Sequence, residues 1–133
     1  MSVRMGKKFT EMGVQVVGAP LLRTWLDHIQ TSATPGCYPV ALAINFAAQD
    51  LPALCAFAVH QYGVAATTLS AALRLMKISH VETQRILYDL NVGVEAAYES
   101  ASRARLCDMS SFAPLKEILA AVHTKAHVRL FMN

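Results

Sequence analysis

Between Asp50 and Arg74 the chain carries no formal charge, and most residues there are Ala, Val, Leu or Phe. The stretch Leu51 to Ile78 that contains this run is too long for an ordinary strand. Its Ala, Leu and Met content favours a helix, and Pro52 suits a first turn because its missing N–H is not needed there. Gly63 is the expected point of a break or kink. A helix apolar on most of its faces needs either lipid or other helices around it. A membrane span takes about 20 mostly apolar residues. Leu51 to Leu73 meets that length, but His60, Gln61, Tyr62, Thr67, Thr68 and Ser70 fall within it. Such groups are costly at bilayer depth, and the flanks lack an aromatic belt or a Lys/Arg cluster. A buried core helix is the favoured reading. A small membrane-associated protein built on residues 38–73 is the alternative.

The remaining segments read as further helices. Met5, Phe9, Met12 and Val16 recur at helical spacing, opposite Arg4, Lys7, Lys8, Glu11 and Gln15. That pattern predicts an amphipathic first helix with the Met/Phe/Val stripe inward. Gly6 and Gly13 each cost about 1 kcal/mol inside a helix, so they point to close packing or to a weaker helix. Pro20 to Gln30 follows, with Leu22, Trp25, Leu26 and Ile29 on one face. Trp25 reads as a core or interface anchor. Thr34-Pro35-Gly36 suits a type II turn, and Tyr38 to Ala48 is an apolar helix. Asp50 is the expected N-cap of the long helix. Ser79 and Glu82 form a Ser-x-x-Glu capping box. It opens one helix with Leu87, Leu90, Val94, Tyr98 and Ala101 on its stripe. Arg105 to Ser111 is a loop. Ser111 caps a last helix that holds Pro114 in its first turn and Leu115, Ile118, Leu119 and Val122 on its apolar face. No strand pairing or fixed-period repeat is present. The expectation is an all-α, single-domain bundle of about six helices over residues 1–133.

With 133 residues, 54% of them hydrophobic and 16% charged, the chain is more apolar than a free-standing monomer requires. Apolar surface buried against a partner or a second copy is expected. The net charge of +3 comes without a basic stripe interleaved with aromatics, which argues against nucleic-acid binding. Cys37, Cys55 and Cys107 form no CxxC pair and no zinc spacing. They read as reduced, buried or partly buried thiols of a cytoplasmic protein. Met1 to Phe9 is polar and basic, unlike a signal peptide. No nucleophile elbow, P-loop or dinucleotide fingerprint is present, and no acidic pair sits in an apolar setting, so no catalytic residue is assigned. His123 and His127, four apart, are weak metal candidates that lack a third ligand. His60 reads as a core or interface histidine.

Three ordered segments carry a family resemblance. They are Thr34-Pro35-Gly36-Cys37-Tyr38-Pro39-Val40; Arg74-Leu75 followed by Glu82 and Gln84-Arg85-Ile86-Leu87; and Ser111-Phe112-Ala113-Pro114, then His123, then Arg129-Leu130-Phe131-Met132-Asn133. Together with Arg4-Met5-Gly6-Lys7-Lys8-Phe9, this set resembles the C-terminal part of the urease accessory protein UreF family. The family's usual N-terminal region has no counterpart here, so the expectations are a fragment, a shortened paralogue, or a divergent member that no longer binds the urease machinery. Where members commonly read Pro-Leu-Gly-Gln-Thr, this chain has Lys77-Ile78-Ser79-His80-Val81.

The resemblance implies an all-helical, non-enzymatic assembly protein, typically dimeric. Such a protein binds a UreD/UreH-type accessory protein and recruits the UreG GTPase to load nickel into the urease apoprotein. No cofactor is implied for this chain, since the complex handles the nickel. Pro35, Gly36, Tyr38, Pro39, Arg74, Glu82, Gln84, Phe112 and Pro114 are the family-motif positions. His123, Arg129, Leu130 and Phe131 are the implied partner-binding tail. An Arg flanked by Leu and Phe offers a bidentate donor on an apolar base.

Overall fold

The computed structural model describes residues 2–109 and 114–123. Every regular element among them is helical: α1 (Ser2–Val16), α2 (Pro20–Gln30), α3 (Tyr38–Ala47), α4 (Ala53–Leu75), α5 (His80–Val92), α6 (Val94–Arg103) and α7 (Pro114–His123), with a 3-10 turn at Leu106–Asp108. The all-α expectation holds. The helix expected after Ser79 is two helices, because Gly93 interrupts it between Val92 and Val94. The chain divides into two compact units, Met1–Ala101 and Ser102–Asn133. In the first unit α1 packs on α2 and α3, α2 touches α3, α3 packs on α4, and α4 packs on α5.

Local chemistry sets the boundaries. Pro20 and Pro39 lie in the first turns of α2 and α3, where a missing N–H costs nothing. Both helices end in left-handed residues. Ser32 has φ +61° and Asp50 has φ +55°. After α3 the Leu51 N–H donates to Phe46 O (3.0 Å) and the Asp50 N–H to Ala47 O (3.1 Å). This is a Schellman closure, and Asp tolerates its left-handed position better than most residues. Asp50 therefore terminates α3 and does not cap α4. Pro52 holds the N-cap of α4 without any side-chain hydrogen bond. The Ser79–Glu82 capping box is present as expected.

The core of the first unit differs from the one expected. Leu22, Ile29, Ala41 and Leu42 are buried, joined by Thr10 and Asn45. On α1 the inward face is Gly6, Thr10 and Gly13. Met5, Met12 and Val16 point outward, and Val16 is 81% exposed. Small residues win this face because they let backbones approach closely. A Cβ on Gly6 would meet Gly36 O, and would come within 2.7 Å of Cys37 C and Tyr38 N. A Cβ on Gly13 would strike Asn45 Nδ2 and come within 3.3 Å of Leu22 Cδ1. The close-packing reading of these glycines is the right one.

The long central helix is not the buried core. Only Ala56 of its 23 residues is buried. It runs unbroken through Gly63. No helix among the described residues is long and apolar enough to cross a membrane. The thiols are also more open than expected: Cys37 is half-buried, but Cys55 and Cys107 are exposed.

Candidate interaction site

The Pro35–Pro39 motif owes its residue types to the contact with α1. Gly36 takes φ +69°, as the turn after Pro35 demands, and a Cβ there would lie 2.7 Å from Ile29 Cδ1. The Thr34 hydroxyl accepts from the Gly36 N–H at 3.5 Å. The Tyr38 N–H donates to Ser2 Oγ at 3.2 Å. Backbone 36–38 is thus pinned between α1 and α2. Its product is the placement of Tyr38 at the start of α3. The Tyr38 ring meets Phe9 edge-on, with centroids 5.6 Å apart, and lies 6.3 Å from the His60 imidazole.

His60 is where three apolar clefts converge. One, of about 350 Å³, is lined by Met5, Tyr38, Val59, Gly63, Val64 and Thr67 among others. A second of about the same volume lies among Pro39, Phe46, Ala56, Phe57 and Tyr98. Phe57 and Tyr98 there form an edge-to-face pair with centroids 5.6 Å apart. A third, of about 480 Å³, takes in Phe57, Gln61, Val64, Leu90 and Ala97. Clefts of this apolar kind suit side chains of a docked helix better than a polar substrate. Val59, Tyr62 and Val64 remain about half exposed along the same helix. Sequence reasoning isolated His60 and Tyr38 but missed Phe57 and Asn45. Asn45 is buried, and its Oδ1 accepts from Gln49 Nε2 at 2.8 Å. Its signal was a lone amide within the apolar run of α3. Trp25 is half-buried, and its Nε1 has no hydrogen-bond partner among the described residues.

The second motif segment is structural where it can be followed. The Glu82 carboxylate accepts from the Ser79 N–H and hydroxyl, both at 2.7 Å, and the Glu82 N–H donates to Ser79 Oγ at 3.2 Å. The backbone bond above all, and then the hydroxyl, hold this carboxyl below its ordinary value. Arg74 donates from Nε to Ser70 O at 3.2 Å in the last turn of α4. Gln84 is exposed on α5. These three are not drawn into the clefts around His60. Two exposed ion pairs also shift their carboxyls downward: Glu11 through the hydrogen bond from Lys8, and Asp108 through that from Arg105.

Pro114 opens α7, and Leu115, Ile118, Leu119 and Val122 are exposed on it. Phe112, His127, Arg129, Leu130 and Phe131, and the side chain of His123, lie outside the described residues. Ser111, the expected cap, does too. Among the described residues no three His, Cys, Asp or Glu side chains gather where they could hold a metal ion.

The described residues thus form a helical unit that bears apolar clefts around one histidine. Its family is given by comparison: the family model described as UreF matches residues 1–91, and the chain belongs to the UreF family. Urease accessory protein UreF 1 of Brucella melitensis is 50% identical over all 133 residues, which cover 55% of that relative. Urease accessory protein UreF 2 of Brucella suis is 50% identical with the same coverage. Urease accessory protein UreF of Yersinia enterocolitica is 48% identical, with 58% of it covered. The chain thus spans little more than half the length of these relatives. No solved structure matches it significantly. The family is one of non-catalytic urease accessory proteins.

Proposed function

We propose that the chain is a non-catalytic scaffold of urease maturation. In this reading it acts in the cytoplasm as one UreF-like domain and forms a homodimer. It binds a UreD/UreH-type protein and recruits the UreG GTPase, so that nickel, the cargo, enters the urease apoprotein. The observation that carries the reading is the identity of about half the residues, over the whole chain, to curated urease accessory proteins. The apolar clefts around His60 support it, because a scaffold works through surfaces of this kind. His123, Arg129, Leu130 and Phe131 are the proposed partner-binding tail, with Arg129 as its anchor.

The test is size-exclusion chromatography of the purified chain with the UreD/UreH-type protein, and then with UreG. The expected result is co-elution in a stoichiometric complex, which Arg129→Ala weakens without changing the chain's circular dichroism. A helical, cooperatively melting chain that elutes apart from both partners overturns the scaffold reading. Unchanged assembly by Arg129→Ala overturns the role of the tail.

A further inference from the structure

Three glycines lie inside the helices of the first unit, and two have a visible reason to be there. Gly6 seats the backbone of residues 36–38, and Gly13 seats Asn45 and Leu22. Gly63, midway along α4, has nothing within 4 Å of the position its Cβ would take. A glycine weakens a helix, so in this molecule it is used where another chain segment must come close. At Gly63 that segment is missing among the described residues. The same glycine lines the cleft of about 350 Å³ formed with Met5, Tyr38, Val59 and Val64. Met5, Val59 and Val64 each keep about half their surface open.

The relatives indicate what fills the place. All 133 residues of this chain match them, yet more than two fifths of each relative's length lies outside the match. We propose that the cleft at Gly63 is the seat of a helix from that outlying portion. The occupant is amphipathic, its apolar side chains enter between Met5 and Val64, and its backbone passes over Gly63. It acts whether it is joined to this chain or supplied as a separate polypeptide. The proposal stands apart from the recruitment of urease partners, because it concerns how the helical unit is completed.

The experiment co-expresses the 133-residue chain with a tagged polypeptide comprising the part of the Brucella melitensis relative outside the match. Retention on the tag is the readout. The expected result is a one-to-one complex whose retention falls about tenfold or more with Gly63→Leu. The melting temperature of the isolated Gly63→Leu chain should not fall, since the new side chain meets open space. Val81→Ser, on an exposed position of α5, should retain the polypeptide like the wild type. No retention by the wild-type chain overturns the proposal, and so does undiminished retention by Gly63→Leu. Self-association of the chain alone that Gly63→Leu abolishes also overturns it, because the occupant is then a second copy.

Discussion

The first three helices and the next three use similar apolar residues to different ends. In α1–α3 the apolar side chains Leu22, Ile29, Ala41 and Leu42 are buried together, and glycines bring the backbones close enough to close the space. In α4–α6 the burial is sparse: Ala56 on α4, Thr83 and Leu87 on α5, and none on α6. The difference is one of shape rather than of hydropathy. Helix α4 is long and apolar, but among the described residues it packs on α3 and α5 with only Ala56 of its own fully buried. Helix α1 has a modest apolar content and a flat face on which a loop backbone can lie. Packing free energy follows the contacts made, and an apolar residue without a partner contributes little.

Leu22→Ala offers the strongest challenge to this contrast. Leu22 is fully buried at the centre of the first three helices. Its truncation should cost about 3 kcal/mol and lower the denaturation midpoint. Val59→Ala removes a similar apolar group from α4, where nearly half of the side chain is open. It should cost about 0.5 kcal/mol or less. Equal losses in urea denaturation would show that α4 contributes as much core as α1–α3.

Gly6→Ala comes next. Alanine is worth about 1 kcal/mol more than glycine in a helix, yet its Cβ would press on the backbone of Gly36 to Tyr38. Backbone cannot swing away as a long side chain can, so the net effect should be a loss of about 2 kcal/mol. A stabilised variant would mean that α1 and the Pro35–Pro39 segment do not meet as closely as the structure places them.

These contacts also show what could be read from residue order. The helical class, the proline-opened helices and the Ser79–Glu82 cap are local, and each declares itself within four residues. The inward face of α1 is not local. Met5, Phe9, Met12 and Val16 repeat as regularly as Gly6, Thr10 and Gly13, and hydropathy favours the first set. The loop returning at residues 36–38 against Gly6, and Asn45 and Leu22 against Gly13, decide for the second. Asp50 was misplaced for a similar reason. An Asp just ahead of Leu51-Pro52 suits an N-cap, but the Schellman closure of α3 claims it. Of the candidate site, His60 was legible as a histidine within an apolar run, and Tyr38 only as a position of the family motif. Their meeting, and the part of Phe57 beside Tyr98, depend on how α3, α4 and α6 come together.

Gly63→Ala reverses the sign of the Gly6 experiment. The new methyl meets no atom within 4 Å, so only the helix propensity remains. The isolated chain should gain about 1 kcal/mol, seen as a higher melting temperature. A loss at Gly63 would reveal a close neighbour there and would erase the distinction between the two regions.

The smallest effect concerns how α5 persists with so little burial. Its first turn is held by the Ser79–Glu82 box, and the bonds from Ser79 lower the carboxyl from its ordinary value of 4.5. A carboxyl lowered by folding stabilises the folded state above its unfolded value, and that contribution disappears as pH falls through the lower folded value. Glu82→Gln keeps an acceptor but removes the charge. The melting temperature of the wild type should therefore exceed that of Glu82→Gln at pH 7. The gap should narrow below the ordinary carboxylate value and close in more acidic solution. Leu22→Ala involves no titrating group, so its deficit relative to the wild type should persist across the same range. A Glu82→Gln gap that also ignores pH would mean that α5 is anchored by burial after all, as α1–α3 are, and that charge at its cap is incidental.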